Sequence, residues 1–265
     1  MDWSGKQSAL FLSLALFVLW TLATYFLEGR LLTLQRPEAT MLRLGYTTVA
    51  NIIIGAFGSL LLIRYFLSHS AGFDPAFFGV TGLSRTVIVV IIGLILGLAV
   101  FALQSPSSWN PVVLVNAYSQ TLVVSMAEVL VCWSLLGGTI INFGGEGRPF
   151  WLLALALLIS AVLFGLYHFG HSPPFNTLRM VGLLTVVGLF TGIFFLATKS
   201  FYGTIIFHNF LALKGVTQAL AGAGQLDKYK TLQLPLLITA LAALLILIVL
   251  DLTLVRGLLS TQSRA

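Results

Sequence analysis

Eight apolar runs, each close to the length that crosses a lipid bilayer, follow one another along this chain. They lie near residues 9–27, 44–67, 86–103, 111–136, 150–169, 179–197, 201–221 and 233–255. About 20 apolar residues of helix traverse roughly 30 Å of hydrocarbon. Lipid offers the backbone no hydrogen-bond partners, so each run must satisfy its own amides, which a helix does. The strict alternation of a membrane β-barrel is absent. The sequence therefore predicts an all-α, polytopic transmembrane helix bundle of about eight spans. That makes it an integral, multi-pass protein whose first partner is the lipid bilayer, with the cell membrane as its expected location. Composition agrees: charged residues make up 8% of the 265, against roughly a quarter in a soluble domain, and the mean hydropathy is +1.01. A water-soluble fold cannot clothe its core with so few charges.

The connections are short. Gln104 to Pro111 and Gly144 to Pro149 each break one helix and start the next at a proline. No connection is long enough to fold alone, so residues 1–265 are expected to form one membrane domain. The first run ends in Tyr25-Phe26-Leu27-Glu28-Gly29-Arg30 rather than in small residues, and it reads as a retained span rather than a signal peptide. The net charge of +6 is scattered, with no basic run, so no nucleic-acid partner is expected. Lys and Arg divide about evenly between the two sides, which leaves the orientation open. Cys132 is alone, so neither an intrachain disulfide nor a cysteine metal cluster can form. Gly93-x-x-x-Gly97 and Gly188-x-x-x-Gly192 fit close helix contacts.

Ionisable side chains at bilayer depth cost about 2.5–3.5 kcal/mol each on insertion scales, so those present are functional candidates. Glu128 lies deep in the fourth run; Glu28 and Asp251 stand near span ends. His168 closes the fifth run, and His208, with Thr204 one turn back and Asn209 next to it, lies inside the seventh. Each has a plainer reading: a protonated acid bonded to a neighbouring helix for Glu128, and an interfacial ring for His168. His171, beside Ser172-Pro173-Pro174, reads as a solvated loop residue, and Arg64 as a snorkelling side chain. A carboxylate and an imidazole meeting inside a bundle can deprotonate a water, while a second imidazole and an amide hold an oxyanion.

The order of a Glu-bearing helix, Phe164-x-x-x-His168 at a helix end and His208 in a later helix resembles the CPBP superfamily of CAAX-prenyl-protease and bacteriocin-processing intramembrane peptidases. The resemblance spans about residues 110–221. The family pattern is Glu-Glu-x-x-x-Arg, Phe-x-x-x-His and His-x-x-x-Asn. Here the first reads Ala127-Glu128 and ends in Cys132, and the last has Ala212 at its Asn position, with Asn209 nearby. The resemblance implies a metal-independent, cofactor-free endopeptidase that cuts membrane-associated or lipid-modified peptides. Glu128 and His168 would activate water, and His208 and Asn209 would hold the oxyanion. The two altered motifs keep a non-catalytic scaffold or immunity protein open. So do a metal-dependent hydrolase, with His168, His171, His208 and Glu128 as ligands, and a proton-coupled transporter.

Overall fold

The computed structural model describes residues 3–30, 39–69, 72–145 and 149–262. Arg36 and Glu38 of the first connection, Glu146 to Arg148 of the fourth, and Arg264 lie outside them. Eight long helices follow in order: α1 (Gly5–Gly29), α2 (Met41–His69), α3 (Leu83–Leu103), α4 (Pro111–Asn142), α5 (Phe150–Tyr167), α6 (Leu178–Thr198), α7 (Phe201–Gly222) and α8 (Leu234–Leu259). All but α7 are long and apolar enough to cross a membrane on length and composition alone. α7 is long enough, but His208, Asn209, Lys214 and Gln218 dilute its apolar character. It lies against α3 and α4, with much of its length inside the bundle. The protein is an all-α, integral, multi-pass membrane bundle.

α4 is the axis of the molecule. Within its apolar window 94% of residues are buried, against 22–50% for the other six apolar helices. A helix apolar or small on every side belongs inside a bundle. Outer helices turn large apolar side chains outward instead: Phe11, Val18 and Leu22 on α1, Ile91 and Ile95 on α3, and Leu241 and Leu245 on α8. Stripes of this kind on so many helices are a surface made for lipid.

Helix ends are closed by the residues next to them. The Asn110 side chain accepts the amides of Val112 and Val113 at the start of α4. Lys6 Nζ donates to the carbonyls of Asn142 (3.0 Å) and Phe143 (3.2 Å) at its end, where unpaired carbonyls and the helix dipole favour a cation. Asn116 donates to the carbonyls of Tyr229 and Thr231 and accepts the Gln233 amide, fastening the α7–α8 connection to α4. Arg64 does not snorkel freely; it donates to the Leu254 carbonyl of α8 at 3.0 Å. Asp251 pairs with Arg256 and accepts from Tyr202, a structural tie at the end of α8.

The glycine pairs work as contacts. A Cβ on Gly93 would stand 2.5 Å from the Gly203 carbonyl oxygen, so α3 and α7 touch backbone to backbone there. Gly188 lies against Ala161 and Phe164 of α5. α6 and α7 form a hairpin. Near its tip Phe194 stacks on Phe207 with centroids 4.5 Å apart.

Candidate active site

Glu128 sits at the middle of α4, just before π-helical turns that run through Val129–Gly137. Such turns recur in helices at functional sites. Its carboxylate is buried and lies between two imidazoles. His208 Nε2 on α7 is 2.9 Å from Glu128 Oε2, and His208 Nδ1 is 2.8 Å from the Thr191 hydroxyl of α6. His168 Nε2 lies 3.6 Å from Glu128 Oε1, too long for a direct hydrogen bond. Its Nδ1 is 2.8 Å from the Phe164 carbonyl, and a carbonyl only accepts. That contact puts the proton on Nδ1 and leaves Nε2 of the neutral ring as an acceptor facing the carboxylate.

A tight turn at His168–Gly170 ends α5 and folds the chain back. It brings His171 inside: the residue is 4% exposed, not the solvated loop residue expected from its Ser-Pro-Pro surroundings. Its ring stacks on His168 (centroids 5.0 Å apart, planes at 23°) and meets Tyr167 edge-on at 4.8 Å. The end of α1 closes over this turn, and Gly29 and Gly170 approach so closely that no side chain fits at Gly29. This packing brings in Glu28, which is fully buried. Its carboxylate accepts the Ser172 amide (3.0 Å) and hydroxyl and lies 3.0 Å from His171 Nδ1.

Asn209 occupies a different place. Its amide donates to the Tyr118 carbonyl, and its oxygen accepts from Ser125, both at 3.1 Å, so it binds α7 to α4. Thr204 donates to the Ser200 carbonyl one turn back. Neither lines the cavity that reaches Glu128, His168, His171 and His208. That cavity holds about 600 Å³ and lies between α6 and α7 where the hairpin opens away from its tip, within the usual range of ligand pockets. Met180, Leu184 and Val187 form one wall, and Leu211 and Val216 the other; Gln104, Lys214 and Gln218 bring polarity to it. Leu183 belongs to the same lining and is 56% exposed on the outer face of α6. The cavity therefore reaches the lipid-facing side.

Residues 110–213 match the family model described as Type II CAAX prenyl endopeptidase Rce1-like. Over that segment the chain is a member of the CAAX/Rce1-like (CPBP) protease superfamily. No curated protein and no solved structure matches it. The matched segment runs from the start of α4 into α7 and contains Glu128, His168, His208 and Asn209; Glu28 lies outside it. Within the superfamily pattern, the absent first glutamate has a packing cause. Ala127 is fully buried, and its methyl group packs so closely on Gly55 of α2 that a Cβ there would stand 2.5 Å away. A glutamate has no room at that contact. Cys132, at the arginine position, is equally buried.

The superfamily fold thus carries a buried Glu/His cluster compatible with catalysis or with metal binding. For the latter, Glu128, His168 and His171 each offer one donor atom within 4.8 Å of the others. Two imidazoles and a carboxylate with a fourth position open suit a zinc ion. Ser172 and Thr191 were missed by sequence reasoning, and Glu28 was noted near a span end without a place in the site. Glu28 carried a signal, being one of three acidic residues placed within or at the end of a span.

Proposed function

We propose that this protein is an intramembrane endopeptidase that cleaves a membrane-associated or lipid-modified peptide, with Glu128 as the base that activates water. The carrying observation is the unequal engagement of the two Glu128 oxygens. Oε2 is held by His208, which Thr191 steadies from behind. Oε1 faces His168 Nε2 across 3.6 Å. A water on the cavity side of that gap reaches both groups at ordinary hydrogen-bond lengths, one hydrogen to each.

In the reaction that follows, Glu128 takes a proton from this water as its oxygen bonds to the scissile carbonyl carbon. The C–N bond then breaks with its electron pair on nitrogen, and Glu128 returns the proton there. The amide and one water become a carboxylic acid and an amine, and Glu128 ends ionised as it began. His168 aligns the water, His208 aligns Glu128, and Asn209 holds the helix that carries His208. Positioned acid–base groups of this kind contribute about 10²–10⁴-fold in rate. The apolar walls on α6 and α7 suit a lipid-modified residue entering from the bilayer, and Lys214 and Gln218 suit the polar end of its peptide.

A direct test uses full-length protein in nanodiscs and a quenched peptide whose S-prenylated cysteine stands fourth from the carboxyl end. Glu128→Gln keeps the shape and removes the base, so turnover falls by at least about 10²-fold. Unchanged turnover refutes the assignment, and a biological role that survives the substitution moves the reading to a scaffold built on the same fold.

A further inference from the structure

Peptide hydrolysis builds negative charge on the former carbonyl oxygen, and a site needs a donor aimed at that charge. The two residues expected from the sequence to supply it are engaged elsewhere here. His208 has one nitrogen on Glu128 and the other on Thr191, and Asn209 faces Tyr118 and Ser125 outside the cavity lining. Apart from His168, whose Nε2 faces the water, one cavity-lining imidazole remains with a nitrogen uncommitted. His171 Nε2 finds no hydrogen-bond partner among the described residues, although the ring is 96% buried. One of its nitrogens lies within 4.8 Å of donor atoms on Glu128 and His168. Its other face is not idle: Nδ1 contacts Glu28 at 3.0 Å, and Glu28 is fixed by the Ser172 amide and hydroxyl.

We infer that His171 is the oxyanion donor of this site and that Glu28, supplied by α1 from outside the matched segment, is its positioning residue. The contact of Nδ1 with Glu28 at 3.0 Å fixes the ring, and Nε2 stays free to donate into the cavity that His171 lines. Stacking on His168 sets the ring beside the imidazole that aligns the attacking water, so the donor lies on the same side of the cavity as the nucleophile. Glu28 thereby gives the site a second carboxylate, which the Ala127–Gly55 contact excludes from α4.

The inference rests on the hydrolytic reading above, and its test separates the two. Two inhibitors of the prenylated peptide are compared on full-length protein in nanodiscs. In one, a phosphonate replaces the scissile amide and carries the oxyanion; in the other, a reduced amide lacks the oxygen. His171→Asn is expected to weaken phosphonate binding by about 10²-fold or more while leaving the reduced amide within about threefold, the size of effect of one lost oxyanion donor. Glu28→Gln, nearly isosteric, is expected to weaken the phosphonate alone, by about tenfold, the size of effect when the partner that orients an imidazole is lost. A wild-type protein that binds both inhibitors equally overturns the inference, as does a His171→Asn protein that keeps its preference for the phosphonate. If His171→Asn loses both inhibitors together, Glu28→Gln decides: selective loss upholds the inference and no loss overturns it. Turnover that persists in Glu128→Gln removes the base assignment while leaving the inhibitor ratio to report on His171.

Discussion

Single residues in this protein divide by what their polar atoms touch rather than by how near they lie to Glu128 in sequence. Asn209 is adjacent to His208, yet its amide closes hydrogen bonds to the Tyr118 carbonyl and the Ser125 hydroxyl. Asn209→Ala would leave the Ser125 hydroxyl buried without its partner, at about 1–3 kcal/mol, while the Tyr118 carbonyl keeps the Thr121 hydroxyl. The expected outcome is a lower unfolding temperature in detergent with a largely unchanged KM, read by thermal unfolding and steady-state kinetics. A fall in kcat with unaltered stability would place the amide in the chemistry instead. Glu128 was legible in the sequence because a carboxylate deep in an apolar run is costly unless something uses it. Glu28 was less so, since at the end of a span the same side chain is cheap if it reaches the interface. Its burial depends on α1 packing over the turn after α5, which pairs residues 144 positions apart. His171 was misread for the same reason: Ser172 and two prolines look like a loop in water until α1 covers them.

At the level of helices, apolar run length located every long helix among the described residues, including α7, which its polar residues set apart from the seven apolar enough to cross a membrane. Which face each helix turns inward was not legible. Glycine spacing gave a partial guide, and the structure makes it testable. Gly93 meets the Gly203 backbone directly, whereas Gly45 on α2 has nothing within 4 Å of where a Cβ would stand. Gly93→Leu forces α3 off α7, and overpacking of this kind costs about 1–3 kcal/mol or more. Gly45→Ala removes only backbone freedom and is expected to be neutral or to stabilise by about 0.5–1 kcal/mol. Paired thermal unfolding of the two variants in the same detergent checks the contrast. Because α7 carries His208, the Gly93 variant also loosens the His208–Glu128 contact, so activity should fall together with stability.

Across the whole molecule, the hydrolytic reading needs no ion, and the Glu128, His168 and His171 donor set makes that claim easy to test. Protein purified without chelator is expected to carry zinc well below one equivalent by elemental analysis. Dialysis against EDTA is expected to leave turnover and unfolding temperature unchanged. One tightly held equivalent, with activity lost on removal and restored by zinc, would move water activation from Glu128 to a metal. The contact between Gly29 and Gly170 has a broader consequence. On the proposed function and the inference about Glu28, it makes the site a two-piece device, with one piece near residue 28 and the other between residues 128 and 208, and the family match reaches only the second. A chain divided between α1 and α2 and expressed as two fragments should therefore regain function only when both meet in one membrane. Fragments in which Gly29 is replaced by Leu should assemble less well, since no side chain fits against Gly170 there.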